Sequence, residues 1–506
     1  MLPETVQTPA PPRGQWRLIA AGLGLLVIVR SLVLVCWPHA HFDSDQAVTG
    51  LMAKHLSELR AFPVFWYGQK YMLGVEAWLA APMMAVIGPT VTALKLPLLA
   101  MNIAVTWLLF MGFVRDTGLT PARAAFATLF FAAAAPITAA HLLTANGGNV
   151  EPCLYVLLLW SLRRRPVWLG VVLGIGFLNR EFTVYGLLAL AALDLLRRRL
   201  FTAASLKRYG VAVLTAAAVW VVIFVLRGYS SAAGPGTSIS DLYTGLPSND
   251  LMELFGRLCV DGRSMMAGVG RLFTDHWPDL FGMQRRPLTD FGIESRLSQG
   301  FPGGAVLVDA VLGIAAIRVA ASVLRSRHWS DTYDFSAYLV LAAALSAAGY
   351  IAGRCGQIDF FTMRYELLSL VGAAGLAAWY LEVERFRTAM AAWAVLCAVI
   401  FAAALVEHVE LIDEYATRPP VAAKQDLIEA LQSRGIRYGY TDFWTAYYVD
   451  FLTREHVVLA PRDVVKIRLY NREVEAHASE AVTISRRACA GGRQLTPAFW
   501  ACGGGR

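Results

Sequence analysis

Charge is scarce in this chain. Only 16% of its 506 residues are Asp, Glu, Lys or Arg, whereas 57% are hydrophobic. Soluble domains carry roughly 25% charged residues, so this composition excludes an ordinary soluble protein and implies a polytopic integral membrane protein. Other absences narrow the chemistry. The sequence has no P-loop, no dinucleotide fingerprint and no nucleophile elbow, so no motif supports a nucleotide-sugar or hydrolase site. Its histidines lack the paired spacing of an H-E-x-x-H zinc site, so His141 and His276 are assigned no metal. The seven cysteines form no regular framework. Cys36, Cys153 and Cys397 lie in or at apolar runs and read as packed thiols. Cys489 and Cys502 suit a disulfide in an oxidising compartment, and Cys259 and Cys355 form a weaker pair. The net charge of +8 comes from arginines clustered in short loops between apolar runs, a pattern that sets membrane orientation and gives no support to nucleic-acid binding.

What is present is a series of apolar runs. Residues 1–16 are Pro-rich and polar and are expected to form a disordered cytoplasmic N-terminus. The first apolar run, 17–37, is long enough to cross roughly 30 Å of hydrocarbon and has no small-residue cleavage site after it, so it reads as a signal anchor. Arg13 and Arg17 favour a cytoplasmic N-terminus. Placing the basic loops 115–123, 163–165, 197–208, 325–328 and 382–387 in the cytoplasm leaves about eleven spans. They lie near 17–37, 94–113, 124–141, 150–162, 167–178, 184–196, 209–227, 304–325, 336–353, 366–381 and 388–407. Three are short and need polar helical turns or a thinned bilayer. The segment 71–87 is expected on the outer face as an interfacial or re-entrant helix.

The expected fold is therefore mainly α: a polytopic membrane helix bundle over 17–407, with outer loops 38–93 and 228–303. A small extracytoplasmic α/β domain follows at 408–488, with helices at 424–433 and 443–454 and strands at 436–441 and 456–460. The Gly-rich end, 489–506, reads as a flexible tail.

Unusual polar residues collect on the outer side. Directly after the first span, His41-Phe-Asp-Ser-Asp-Gln-Ala-Val-Thr-Gly50 sets Asp43 and Asp45 where a membrane helix meets water. The helix, the acidic loop continuing to Leu51-Met-Ala53, and Tyr67-Gly-Gln-Lys-Tyr-Met-Leu-Gly-Val-Glu-Ala-Trp78 together resemble the GT-C superfamily of integral membrane glycosyltransferases. Within it the likeness is to the protein O-mannosyltransferase and aminoarabinose transferase branch. That resemblance implies transfer of a hexose or pentose from a polyprenyl-phosphate carrier to a lipid, glycan or protein acceptor. The loop pattern and the lack of eukaryotic retention signals point to a bacterial inner membrane, and the span count places the C-terminus on its periplasmic side. The resemblance makes Asp45 the general base. Gln46 stands where the family usually has Glu, and Asp43 is the alternative second carboxylate. It puts Arg180, in Gly176-Phe-Leu-Asn-Arg-Glu181, on the carrier phosphate, and Arg364-Tyr365 before a late helix, with Glu366-Leu367 replacing the usual Leu-Pro.

The chemistry suits these residue types. An acceptor hydroxyl is a poor nucleophile, so a carboxylate must take its proton as it attacks the anomeric carbon. The departing lipid phosphate keeps its negative charge, which Arg180 and Arg364 can hold bidentately, with Arg354 and Lys70 in reserve. One direct displacement inverts the anomeric configuration, whereas retention needs a covalent intermediate. Glu76, Gln69, Tyr71, Glu181 and Tyr365 are the candidate substrate contacts, and Glu76 is costly in its apolar segment unless it faces a partner.

Each residue also has a plainer reading. Asp43, Ser44 or Asp45 suits a helix cap, and Asp-x-Asp suits a divalent cation, which leaves metal open. No other cofactor is assigned. Arg180 and Glu181 suit an ion pair, Glu76 a pair with Lys70, and Arg364 a snorkelling position. Trp66, Tyr67 and Tyr71 suit an interfacial belt. Asp442, Trp444 and Tyr447 fit either acceptor contact or packing, and Trp277, Arg285 and Arg286 fit either a lid or plain surface. A transporter or lipid flippase is the reading from another class, with Arg180, Glu181 and Glu76 along its pathway. Against it, no internal repeat is visible and the polar residues gather on one face.

Overall fold

The computed structural model describes residues 13–69, 72–228, 261–325, 330–354 and 360–503. Within lipid a backbone must satisfy its own N–H and C=O groups, and the apolar runs accordingly become helices. The first ten are α1 (Arg13–Cys36), α2 (Ser44–Ser57), α3 (Val75–Ile87), α4 (Val91–Asp116), α5 (Pro121–Ala132), α6 (Pro136–Leu142), α7 (Glu151–Ser161), α8 (Pro166–Asn179), α9 (Thr183–Leu196) and α10 (Ala203–Gly228). Long helices at Gly304–Arg325, Asp334–Arg354 and Arg387–Thr417 follow, with the shorter Leu368–Val383 between the last two. Proline stands in the first two positions of α5, α6, α7 and α8, where its missing N–H has no partner to lose.

Among the described residues six helices are long and apolar enough to cross a membrane, which makes the chain a multi-pass integral membrane protein. They lie at Trp16–Cys36, Val91–Asp116, Ala203–Arg227, Gly304–Arg325, Asp331–Gly353 and Arg387–Thr417. The pair α5 and α6, bent by 81°, adds a seventh if it is one broken span. The other four expected spans fall on α7, α8, α9 and Leu368–Val383, and the expected interfacial segment falls on α3. All five are apolar helices of only 10–17 residues. Their shortness places them next to other helices: α8 packs on α10, α7 on α9, and Leu368–Val383 on Asp334–Arg354.

In the outer loop β1 (Arg286–Pro287) pairs antiparallel with β2 (Ser298–Gln299). The C-terminal domain holds β3 (Tyr438–Thr441), β4 (Val458–Pro461), β5 (Val482–Ser485), β6 (Arg493–Thr496) and β7 (Phe499–Cys502), in the order β4-β3-β5-β7-β6. Strand β3 runs parallel to β4 and β5, while β7 is antiparallel to β5 and β6. Its helices are Ala423–Ser433, Phe443–Leu452 and Arg468–Ala476. The sequence signals find the first two helices and the first two strands. They miss the third helix and the last three strands, and the stretch read as a flexible tail carries β6 and β7. Leu495 and Phe499 are buried there with Leu427 and Val449, and Cys489 is bonded to Cys502. Apolar anchors and a crosslink thus order a segment whose glycines read as loose. Of the other cysteines, Cys153 and Cys397 are buried and Cys36 is exposed. Cys259 and Cys355 lie outside the described residues.

The domain docks on α2. A Cβ on Gly50 would meet the Phe451 ring at 2.6 Å, so this small residue lets Phe443–Leu452 lie against α2. Phe42 adds ring contacts to Tyr448 and Phe451, with centroids at 5.6 and 5.5 Å. Beside this contact Glu455 forms ion pairs with Lys54, with His55 at 3.0 Å and with Arg60 at 2.7 Å, and accepts a hydrogen bond from Tyr470 at 2.9 Å.

Candidate active site

The site begins where α1 gives way to α2. Asp43 has an extended backbone, and its carboxylate accepts the Gln46 N–H at 2.9 Å, which makes it the cap of α2. The capping reading is therefore met by Asp43, leaving Asp45, in the first turn, uncommitted. Among the described residues the Asp45 carboxylate has no hydrogen bond and no ion pair within 4 Å. Burial first, and then the Asp43 carboxylate, push its pKa up to about 6, against the opposing pull of Lys466, Arg364 and Arg180.

Three separate elements deliver those cations. Arg180 follows the last turn of α8, which is stitched to the first outer loop. Leu73 N–H donates to the Leu178 carbonyl at 3.0 Å, and Asn179 Nδ2 donates to the Leu73 carbonyl at 3.3 Å. The Arg180 guanidinium lies 5.7 Å from the Phe182 ring and 5.8 Å from the Tyr365 ring, and Nη1 reaches Met72 Sδ at 3.6 Å. Arg364 approaches the same Tyr365 from its own helical turn, 5.1 Å from the ring, with Nη2 donating to the hydroxyl at 3.2 Å. The buried Nε of each arginine has no hydrogen-bond partner. Two guanidiniums thus share one tyrosine ring and keep donors free.

Lys466 comes from the C-terminal domain and was not singled out by any pattern in the sequence. Its Nζ sits 5.0 Å from the Trp66 ring, and its backbone N–H donates to the Tyr447 hydroxyl at 2.7 Å. The Ile467 N–H donates to the same hydroxyl at 2.9 Å. Tyr447 is fully buried, so it acts by setting the Lys466 loop. Asp442 accepts from Thr445 Oγ1 at 3.0 Å at the start of that helix, and Trp444 is 49% exposed.

Glu76 lies on a different partner from those expected. Its carboxylate accepts the Gly147 N–H at 2.9 Å and the Gly148 N–H at 2.9 Å. Both glycines have φ near +90°, at 95° and 92°, in the left-handed region that other residues avoid. Glu76 thereby pins the turn after α6. Thr49 Oγ1 donates to the Ala145 carbonyl on that turn at 2.8 Å and accepts from Trp66 Nε1 at 2.8 Å. Helix α2, which carries Asp45, the loop after it and the α6–α7 turn are thus joined by hydrogen bonds. Trp66 and Tyr67 are buried, with Tyr67 bonded to His55 at 3.0 Å, so both serve packing and not an interfacial belt.

Gln69 is half-buried, with its backbone N–H on the Trp66 carbonyl at 3.0 Å. Glu181 is exposed, and no ion pair joins it to Arg180 among the described residues. Lys70, Tyr71 and the Arg354 side chain lie outside the described residues, as does the loop portion 229–260. In the remainder of that loop Arg286 is paired with the buried Asp279 at 3.1 Å, and Trp277 Nε1 donates to Ser369 at 3.3 Å, while Arg285 is exposed. Among the described residues no group of three His, Cys, Asp or Glu side chains is arranged to hold a metal.

The arrangement offers one carboxylate whose pKa is raised to about 6 and three cations at the end of α1 where α2 begins. Neither any family model nor any curated protein matches this chain. Solved structures do match in fold. The crystal structure of the Archaeoglobus fulgidus oligosaccharyltransferase in its apo form is 12% identical, with a TM-score of 0.52 over 94% of this chain and 70% of that one. The oligosaccharyltransferase AglB of the same organism, in complex with an inhibitory peptide and a dolichol-phosphate, is 11% identical, with a TM-score of 0.53 over 94% and 69%. At these identities the likeness is one of fold, spanning both the membrane bundle and the C-terminal domain of this chain.

Proposed function

We propose that the chain is a membrane glycosyltransferase moving a sugar from a polyprenyl-phosphate carrier to an acceptor on the outer face. The observation that carries this reading is the Asp45 carboxylate, which among the described residues has no hydrogen bond or ion pair while the charges of Lys466, Arg364 and Arg180 act on it. In the reaction the acceptor hydroxyl gives its proton to Asp45 as its oxygen bonds to the anomeric carbon. The bond from that carbon to the carrier phosphate breaks, and the lipid phosphate leaves with the electron pair. Arg180 and Arg364 supply free guanidinium donors to the charge that builds on the departing oxygen. With Asp43 bound to the Gln46 N–H as the cap of α2 and Asp45 taking the acceptor proton, the reading is a single displacement, which inverts the configuration. Similarity in fold to an oligosaccharyltransferase solved with a dolichol-phosphate supports a lipid-linked donor. The membrane is the bacterial inner membrane, with the N-terminus cytoplasmic and the C-terminal domain periplasmic, as the basic loops suggest.

The test is transfer from a panel of radiolabelled polyprenyl-phosphate sugars to endogenous acceptors, in membranes holding the native chain or Asp45→Asn at matched expression. The expected result is transfer from at least one donor that falls by about a hundredfold or more in the variant. Equal transfer by both chains would remove Asp45 as the base, and no transfer from any donor would favour lipid transport.

A further inference from the structure

A polar cavity of about 190 Å³ lies between the C-terminal domain and the loop that precedes α2. Its wall takes Phe42 from the loop, Glu294 from the long outer loop, and Lys424, Tyr448, Arg486 and Phe499 from the domain. Phe42 is the residue before Asp43, so the cavity adjoins the acidic pair, on the side where the domain docks. Lys424 Nζ lies 4.7 Å from the Tyr448 ring and Arg486 5.6 Å from the Phe499 ring. Neither cation has a carboxylate within 4 Å among the described residues. Glu294 is the one acidic side chain in the wall, and its backbone is fixed by its N–H on the Ala40 carbonyl at 2.9 Å. The helix Ala423–Ser433 begins at this wall without a side-chain cap. Two cations, each over an aromatic face, with a single opposing carboxylate, make a place for a ring bearing negative charge. At well under the roughly 300 Å³ of a drug-sized pocket, it has room for one unit of a larger molecule.

Resting on the transferase reading above, we infer that this cavity is an acceptor subsite for an anionic sugar residue, carrying a carboxylate or a phosphate, held by Lys424 and Arg486 so that a neighbouring hydroxyl meets Asp45. Burial and the Arg486 charge lower the Lys424 pKa, while Asp43, Asp442 and Glu294 raise it, and a bound anion would further stabilise its charge. The donor phosphate and the acceptor anion would then use separate cations: Arg180 and Arg364 for the first, Lys424 and Arg486 for the second.

The test is calorimetric titration of the full chain in detergent with methyl glucuronide, glucose 6-phosphate and neutral methyl glucoside. At least one anionic probe should bind about tenfold or more tightly than the neutral one, the gain expected of a charge-assisted contact. Which anion binds decides between carboxylate and phosphate. Lys424→Gln and Arg486→Gln should each abolish the discrimination, and Lys424→Arg should keep it. Arg486 is exposed, so its variant remains a fair test if Lys424→Gln fails to fold. Equal binding of all three probes, or discrimination unchanged in both Gln variants, would overturn the inference. Transfer from lipid donors is measured separately. Discrimination without transfer would sink the transferase reading and leave the anion site standing, whereas transfer without discrimination would do the reverse.

Discussion

Two charged clusters meet α2, and they are built in opposite ways. Around Glu455 every charge is answered: Lys54, His55, Arg60 and Tyr470 all converge on one carboxylate. Around Asp45 the charges face one another without closing into ion pairs, and two arginines keep an unpartnered Nε. A saturated cluster stabilises a contact, whereas an unsaturated one retains binding capacity for something else. The largest effect should therefore come from Asp45, and on rate alone. Asp45→Asn should lower transfer by about 10² to 10⁴-fold while leaving the melting temperature within a degree or two of the native chain. A matching loss of thermal stability would mean that Asp45, too, is structural.

The converse holds for Glu455. Removing one member of a buried, paired cluster leaves the others uncompensated, so Glu455→Gln should destabilise the docked domain by about 3–5 kcal/mol. Limited proteolysis should then cut near residue 418, between the last long helix and the domain. Burial opposes the Glu455 charge, yet the hydrogen bond and charge of His55, with Lys54, hold it well below the usual carboxylate range. A carboxylate with a depressed folded pKa contributes stability that is present above its unfolded value, about 4.3, and is lost as pH falls. Acid should therefore undock the native domain, and it should do so less steeply in Glu455→Gln. Resistance of the variant to protease at every pH would show that the apolar contacts of Phe42 and Phe451 suffice.

Arg180→Gln and Arg364→Gln should each reduce transfer by about 10 to 10²-fold, less than Asp45→Asn because each leaves the other guanidinium in place. A double variant that loses no more than either single one would show that they act as one unit.

The two clusters also differ in how far the sequence reveals them. Asp43, Asp45, Arg180 and Arg364 are legible because a charge next to an apolar run is rare and has to be explained locally. The six long apolar spans and the first half of the C-terminal domain are legible for the same reason: period and composition are local properties. Lys466 is not, because it reaches Asp45 only through the docking of a domain at the far end of the chain. The one sign in its neighbourhood is a buried tyrosine hydroxyl, that of Tyr447, which needs partners and finds them in the Lys466 and Ile467 N–H groups. Glu76 was visible as an anomaly but not as an anchor, since its partners are backbone N–H groups at Gly147 and Gly148 that no side-chain pattern records. Strands β6 and β7 stayed hidden because a disulfide and two buried side chains outweigh a glycine-rich composition.

Lys466 gives the smallest and most diagnostic effect. A general base works only when deprotonated, and Asp45 is pushed up to about 6. The native kcat/KM should therefore be flat above about pH 7, half-maximal near pH 6 and fall about tenfold per unit below pH 5. Lys466 is one of three cations that lower that pKa, so Lys466→Met removes a charge favouring the carboxylate. The acid limb should move to higher pH, while the plateau changes by only a few-fold. At pH 6 the variant would then trail the native chain, and at pH 8 the two would nearly agree. If Lys466 instead binds substrate, the loss persists at pH 8 and appears in KM. If it serves only to dock the domain, Lys466→Met should resemble Glu455→Gln, with proteolysis at residue 418 and an unmoved pH midpoint.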